Sequence, residues 1–413
     1  MSKLERLIQQ YCPDGVEYVP LSSIGTIKRG NGLQKKDFVK TGIGCIHYGQ
    51  IYTKFGLFTD KTLTYVDKEL AEHLLHIEKG DLVIACTSEN VEDVCKAVAW
   101  LGDDSIVTGG HACVLHHNQN PKYIAYFFQT ESFQRQKRKY AYGTKVIDIK
   151  PDSIGKIEIP LPPLPVQEEI VRILDTFTEL QAELQAELQA ELQKRQQQYN
   201  FYRDNLLNFN RGGQEIKWMK LKDVAIQWYR GAGIKRDEVG KEGTPCIRYG
   251  EIHTTYNIWF KKCISHTDEH KQATKKYAEY GDILFAITSE DIPLVGNSVA
   301  YLGKEKILVG GDIVVMKHNQ DPKYMAYALS TSDAIKQKGK GKVKSKVVHT
   351  NVPSLQEIVI PIPPIEEQQR IADILDRFDT LTNDLTSGLP AEMEKRRQQY
   401  EYYRDRLLTF KRL

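Results

Sequence analysis

Two runs of basic residues, about two hundred positions apart, are the parts of this chain best suited to chemistry. The first comprises Arg135, Lys137, Arg138, Lys139, Tyr140, Tyr142, Gly143, Thr144 and Lys145; the second comprises Lys336, Lys338, Lys340, Lys342, Lys344, Ser345 and Lys346, with Gly339 and Gly341 between. One such run is ordinarily a solvated surface. Here charge recurs at corresponding places while the residues between differ. That suits a loop gripping phosphates, with glycine allowing close approach and Ser, Thr or Tyr within reach of sugars and base edges. Both runs are candidate nucleic-acid contacts.

Three further positions invite comparison. His47 and Arg248 stand at the same place in Cys45-Ile-His-Tyr-Gly and Cys246-Ile-Arg-Tyr-Gly. Exchange between two donors of different reach fits either a difference in base reading or a plain surface substitution. Ser88-Glu89 and Ser289-Glu290 follow apolar runs, where the carboxylate accepts from cytosine or, by preference, caps the next helix. His116-His117 lacks a second ligand cluster, so no metal site is assigned.

Catalytic signatures are missing from the sequence. Gly339-Lys-Gly-Lys-Val-Lys-Ser has the composition of a phosphate-binding P-loop without its spacing. No G-x-G-x-x-G follows an apolar run, and no G-x-S-x-G is present. Pro151-Asp152 with Glu158 lacks the lysine that would complete a nuclease set, and its copy at Val352-Pro353 has lost the acid. Catalysis is therefore not expected on this chain.

The elements that position these residues occur twice. Adding 201 to a position carries Arg29-Gly30 to Arg230-Gly231, Gly80-Asp to Gly281-Asp, Thr87-Ser-Glu to Thr288-Ser-Glu, and Gly109-Gly110 to Gly310-Gly311. Each copy has short β-rich runs such as Leu82 to Cys86, Ala97 to Leu101 and Ala112 to His116. One helix is predicted from Pro121 to about Arg135 and again from Pro322 to about Lys336. The fold class expected is α+β, with tandem heads at 1–160 and 211–361.

Each head is followed by a long helix, 161–210 and 362–413. Pro162 and Pro163 precede a first turn carrying Glu168 and Glu169, which marks a helix start. Apolar residues then recur at helical spacing through three Leu-Gln-Ala-Glu units, Leu180 to Glu191, giving a rod of roughly 65 Å. A rod with one apolar stripe needs a partner helix. The second rod supplies it, and antiparallel pairing is expected to bring Glu179 near Lys395 or Arg397, and Lys194 or Arg195 near Asp379. Pro390 is expected to kink or restart the second rod near Gly388.

The chain has 413 residues, 41% apolar and 27% charged, enough for two ordinary domains. Its net charge of +3 is too small to indicate nucleic acid by itself. Seven cysteines without C-x-x-C spacing, and no apolar run near the roughly 20 residues of a membrane helix, point to a reduced, cytoplasmic protein.

Pro160-Leu-Pro-Pro-Leu-Pro-Val-Gln-Glu-Glu-Ile, Pro361-Ile-Pro-Pro-Ile-Glu-Glu-Gln-Gln-Arg-Ile, the Tyr-x-x-Tyr-Arg-Asp-x-Leu-Leu rod ends and Cys12-Pro-Asp-Gly-Val-Glu-Tyr resemble the specificity subunits of type I restriction-modification systems. The resemblance covers essentially the whole chain. It implies two target-recognition domains, rods that form a spacer, and a subunit that binds double-stranded DNA and carries two methyltransferase and two restriction subunits. S-adenosylmethionine, ATP and Mg²⁺ would belong to those partners, with no cofactor on this chain. A bipartite target with unlike halves follows, because pseudo-two-fold heads that differ in sequence face two half-sites. A coiled-coil scaffold that never reads bases explains the rods without the paired basic loops.

Overall fold

The computed structural model describes residues 1–209, 216–343, 346–383 and 389–413. These form two compact units, Met1–Ala186 with Met393–Leu413, and Glu187–Glu392.

In the first unit, five strands run in the order Gly25–Arg29, Ala112–His117, Leu82–Ala85, Ala97–Trp100, Phe58–Thr59. Side chains alternate across a strand, yet Leu82-Val83-Ile84-Ala85 is apolar throughout, which requires burial on both faces. Leu82 and Ile84 pack with Tyr123, Phe127 and Phe133 of the head helices and with Val166, Ile170 and Leu174 of the long helix. Val83 and Ala85 face the other way, against Ile46, Ile77 and Ile106 of a four-stranded second sheet.

The second unit repeats this order with Ala225–Arg230, Ile313–His318, Ile283–Ala286, Ser298–Tyr301 and Trp259–Phe260. Its second sheet gains a fifth strand, Val239–Gly240, where the first unit has a bridge between Val39 and Tyr65.

The single head helix predicted in each copy is two. In the first unit they are Pro121–Phe127 and Glu131–Lys137; in the second, Pro322–Leu329 and Ser332–Gly339. Thr130 accepts from the Phe133 amide at 3.2 Å, and Thr331 from Ala334 at 3.3 Å, so each threonine starts a new helix.

The proline-rich motif is a latch between head and long helix. Gln167 is fully buried; it donates to Gln119 Oε1 and the Pro162 carbonyl at 2.9 and 2.8 Å and accepts from the Asn120 amide at 3.1 Å. Gln368 does the same with Gln320, Pro363 and Asp321. Two turns on, Asp175 takes Lys122 and the Tyr126 hydroxyl at 2.7 and 2.8 Å, and Asp376 takes Lys323, Tyr327 and the Trp259 indole. Replacing Gln167→Ala strands the Asn120 amide and the Pro162 carbonyl. It is expected to cost the first unit roughly 2 to 4 kcal/mol in a urea melt; a loss near zero would show that solvent fills the site.

The central helix runs Leu164–Leu206; the second long helix is described as Ile365–Asn383 and Leu389–Leu407. The pairing is antiparallel within each unit. In the first, the Thr178 hydroxyl lies 2.9 Å from the Tyr400 hydroxyl and Phe177 meets Tyr403; in the second, Tyr202 stacks on Phe378. This register sits about one helical turn from the one expected from charge. Arg397 pairs with Glu394 and Glu401 of its own helix, and Arg195 with Glu191. Exposed ion pairs contribute at most about 1 kcal/mol, so aromatic packing sets the register instead. The kink expected at Gly388 turns on a residue outside those described.

The Tyr-Arg-Asp ends also acquire a purpose. Asp405 accepts from the Glu131 amide at 2.9 Å in the first unit, and Asp204 from the Ser332 amide at 3.3 Å in the second. Each carboxylate sits at the positive end of a head helix. Cys86 and Cys113 lie side by side at the edge of the central sheet's core, with Cα atoms 6.3 Å apart. No described helix is long and apolar enough to cross a membrane.

Candidate nucleic-acid interface

At one end of each central sheet, glycines bring two backbones so close that no side chain fits between them. A Cβ on Gly30 would lie 2.5 Å from the Gly109 carbonyl oxygen, and one on Gly231 would lie 2.2 Å from that of Gly310. The arginine preceding each glycine is thereby held over a Gly-Gly turn. Around it the structure assembles a polar group.

In the first head, Arg29 donates through Nε to the Gly110 carbonyl at 3.0 Å, and through both Nη atoms to Asp148 at 3.0 and 2.7 Å. Asp148 lies on a short strand paired with Thr87–Ser88, and Thr87 Oγ1 is 3.0 Å from His111 Nδ1. The Tyr52 hydroxyl donates to the Thr87 carbonyl at 2.6 Å. The Tyr48 ring lies between His111 and His47, at 4.7 and 4.6 Å. Tyr142, from the basic run, bridges Asp148 through its backbone and places its hydroxyl 3.2 Å from the carboxylate.

The second head builds the same arrangement from different residues. Arg230 donates to the Gly311 carbonyl and, at 2.9 Å, to Asp312. Thr288 Oγ1 is 3.1 Å from His349 Nδ1, and His253 takes the place of Tyr52 at the Thr288 carbonyl, 3.0 Å away. Arg230, Arg248, Tyr249 and Gly310 line an open cavity of about 490 Å³.

The residues singled out in the sequence divide into groups. Arg135, Lys139, Tyr142, Thr144, Lys145, Lys340 and Lys346 are exposed, and Lys342 is half-buried. Arg138 is exposed but paired with Glu131. Lys336 is also exposed, yet it lines a cavity with Asp204, Trp218 and Pro361, toward the head's junction with the central helix. Lys344 and Ser345 lie outside the described residues. Arg248 lines the same cavity as Arg230. His47 is mainly structural: it is 8% exposed and its Nδ1 accepts from the Gly49 amide at 3.2 Å, capping the helix Tyr48–Thr53. Burial, then Lys35 and His111, lower its pKa, so the ring is neutral and suited to accepting.

Two assignments are corrected. Lys137 is 1% exposed and donates to the Glu92 and Val94 carbonyls at 2.7 and 2.8 Å; Lys338 is 5% exposed and donates to the Leu329 carbonyl and Ser298 at 2.8 and 3.2 Å. Neither can reach a phosphate. Burial pushes their ammonium groups down, to about 8 and about 7. The glutamates of the Ser-Glu pairs cap no helix; the serine hydroxyls accept instead from Asn90 and Asp291 amides.

A family described as the type I restriction modification DNA specificity domain matches twice, over residues 13–194 and 214–395. The chain belongs to this family. It is 35% identical over 277 residues to the specificity subunit of the type I restriction enzyme EcoR124I/EcoR124II of Escherichia coli, covering 62% of this chain and 63% of that one. Against a putative specificity subunit of Haemophilus influenzae the identity is 34%, covering 62% and 65%. The chain thus spans just under two thirds of these two relatives. A putative type I specificity subunit of Mycoplasma pneumoniae is 33% identical, covering 72% and 84%. Two solved structures share the fold: one from work on complex assembly of a type I R-M system (TM-score 0.67, 16% identical, 96% of this chain and 98% of that one), and the HsdS subunit of Thermoanaerobacter tengcongensis (0.50, 17%, 96% of each).

Within this specificity-domain chain, the group around Arg29 and Arg230 was not singled out from sequence. A signal existed: with the 201 offset, His111 stands against Asp312 and Asp148 against His349. The burial of Lys137 leads to a direct expectation. Lys137→Met leaves the slope of log affinity against log salt for duplex DNA unchanged, while Lys139→Ala and Lys145→Ala each lower it by about 0.9. A reduced slope for Lys137→Met would contradict the placement.

Proposed function

We propose that this chain is the DNA-specificity subunit of a type I restriction-modification system, each head reading one half of a bipartite target and the chain directing methyltransferase and restriction subunits to it. The supporting observation is that both heads carry, at the same end of the sheet, an arginine over a Gly-Gly turn, and that each head also has exposed basic residues after its second head helix. The residues around that group differ, which suits half-sites of different sequence. Phosphate contacts from the exposed lysines and Arg135 position the duplex, and the polar group faces base edges.

On this reading the subunit works in the cytoplasm with two methyltransferase and two restriction subunits. S-adenosylmethionine, ATP and Mg²⁺ reside on those partners, and this chain does no chemistry itself. The experiment is a mobility-shift titration on random-sequence duplexes, with non-specific competitor and rising salt. A sequence-specific fraction that survives competitor is expected. Complete loss to competitor would favour a scaffold that does not read bases.

A further inference from the structure

Both heads hold one arginine, one aspartate, one histidine and one threonine in the same polar group, but aspartate and histidine have exchanged places. The first head has His111 and Asp148; the second has Asp312 and His349. The threonine keeps its histidine in both, at 3.0 and 3.1 Å. What changes is how the arginine is held.

Arg29 meets Asp148 with both Nη atoms and Gly110 with Nε, and its side chain is 30% exposed. Every nitrogen of that guanidinium is engaged. Arg230 meets Gly311 with Nε and Asp312 with Nη2; its Nη1 has no partner among the described residues, and the side chain is 60% exposed. Asp312 therefore braces one edge of the guanidinium and leaves Nη1 and the second hydrogen of Nη2 free beside the cavity lined by Arg248 and Tyr249.

We propose that Arg230 is a base-reading residue of the second head and recognises guanine, while Arg29 is a positioning residue that anchors the Tyr142 segment through Asp148. This rests on the functional reading above and names the residue that carries it in one head. Two parallel donors match O6 and N7 of guanine in the major groove. A carboxylate 2.9 Å from the guanidinium disfavours a phosphate there, whereas an uncharged base edge meets no such repulsion. In the first head the same arginine has no donor pair left, so a guanine at the equivalent position is not read by Arg29.

The test is selection from fully randomised duplexes by the full-length chain, purified with the methyltransferase subunits. The wild type is expected to enrich two blocks, one of which holds a guanine that Arg230→Ala relaxes roughly tenfold while the other block is unchanged. Arg230→Lys, which keeps the charge but not the fork, is expected to relax the same position. His111→Asp combined with Asp148→His in the first head frees Arg29 and is expected to add a guanine preference to the other block. A wild-type motif that survives Arg230→Ala, a uniform loss of affinity for all sequences, or an unaltered motif in the exchange variant would overturn the proposal and leave the functional reading standing. Absence of any two-block motif for the wild type would overturn the functional reading and this proposal together.

Discussion

Deleting Leu184–Glu187 from the central helix is expected to leave both half-sites unchanged and shorten the gap between them by one or two base pairs. Four residues of helix amount to about 6 Å and a turn of roughly 40° beyond whole helical turns. One base pair advances about 3.4 Å. The deletion closes the repeat on itself, because Leu188-Gln-Ala-Glu takes the place of the unit removed and the helix continues unbroken from Leu164 to Leu206. The boundary between the two compact units falls inside this repeat, at Ala186 and Glu187. The latches at Gln167 and Gln368, and the caps at Asp204 and Asp405, lie outside it, so each head keeps its own support. Mapping methylated positions in cells that carry the deletion decides the matter. An unchanged gap, or altered bases within a half-site, would mean the repeat is not the ruler.

Acid is expected to destabilise both units between about pH 6.5 and pH 4. Burial pushes His117 and His318 down to about 4, below the unfolded value near 6.5. Each Nδ1 accepts a backbone amide, from Gln119 and Gln320, while each Nε2 is buried without a partner among the described residues. The unfolded chain binds these protons first as pH falls. Stability is therefore full above pH 6.5 and is lost progressively toward pH 4, by roughly 3 kcal/mol per histidine. Asp81 and Asp282, raised by burial, act in the opposite sense, so the comparison must be differential. Urea melts at pH 7 and pH 5 are expected to differ strongly for the wild type, and much less for His117→Asn with His318→Asn. Equal pH dependence in both proteins would contradict the account of these histidines.

Much of the architecture was legible because the chain is its own comparison. The 201 offset exposes both heads, and the prolines before Glu168 and Glu169 mark the helix start. The register of the long helices was not legible, since Phe177, Tyr202, Phe378 and Tyr403 set it through ring contacts that charge pairing does not anticipate. Charge alone also misplaced Lys137 and Lys338. Each lies four residues after a buried side chain, Phe133 or Ala334, and so on the inner face of a short helix. The break at Thr130 was written in the sequence as a capping threonine followed by an acid, but the apolar Phe127 and Phe133 on either side hid the signal.

The polar groups at the sheet ends show the limit more sharply. Arg29, Thr87, His111 and Asp148 are scattered over about 120 positions, and two strand pairings, of Gly25–Arg29 with Ala112–His117 and of Thr87–Ser88 with Ile147–Asp148, bring them together. The exchange of aspartate and histidine between heads follows from the 201 offset, but nothing in the sequence singled those positions out. Its meaning depended on which atoms of each arginine are already bound.

The most direct measurement is the target selected from random duplexes by the intact chain together with its methyltransferase subunits. Two short specified blocks of unlike sequence, held at one fixed separation, are expected if each head reads its own half-site. A single continuous block, or enrichment no better than competitor, would contradict it.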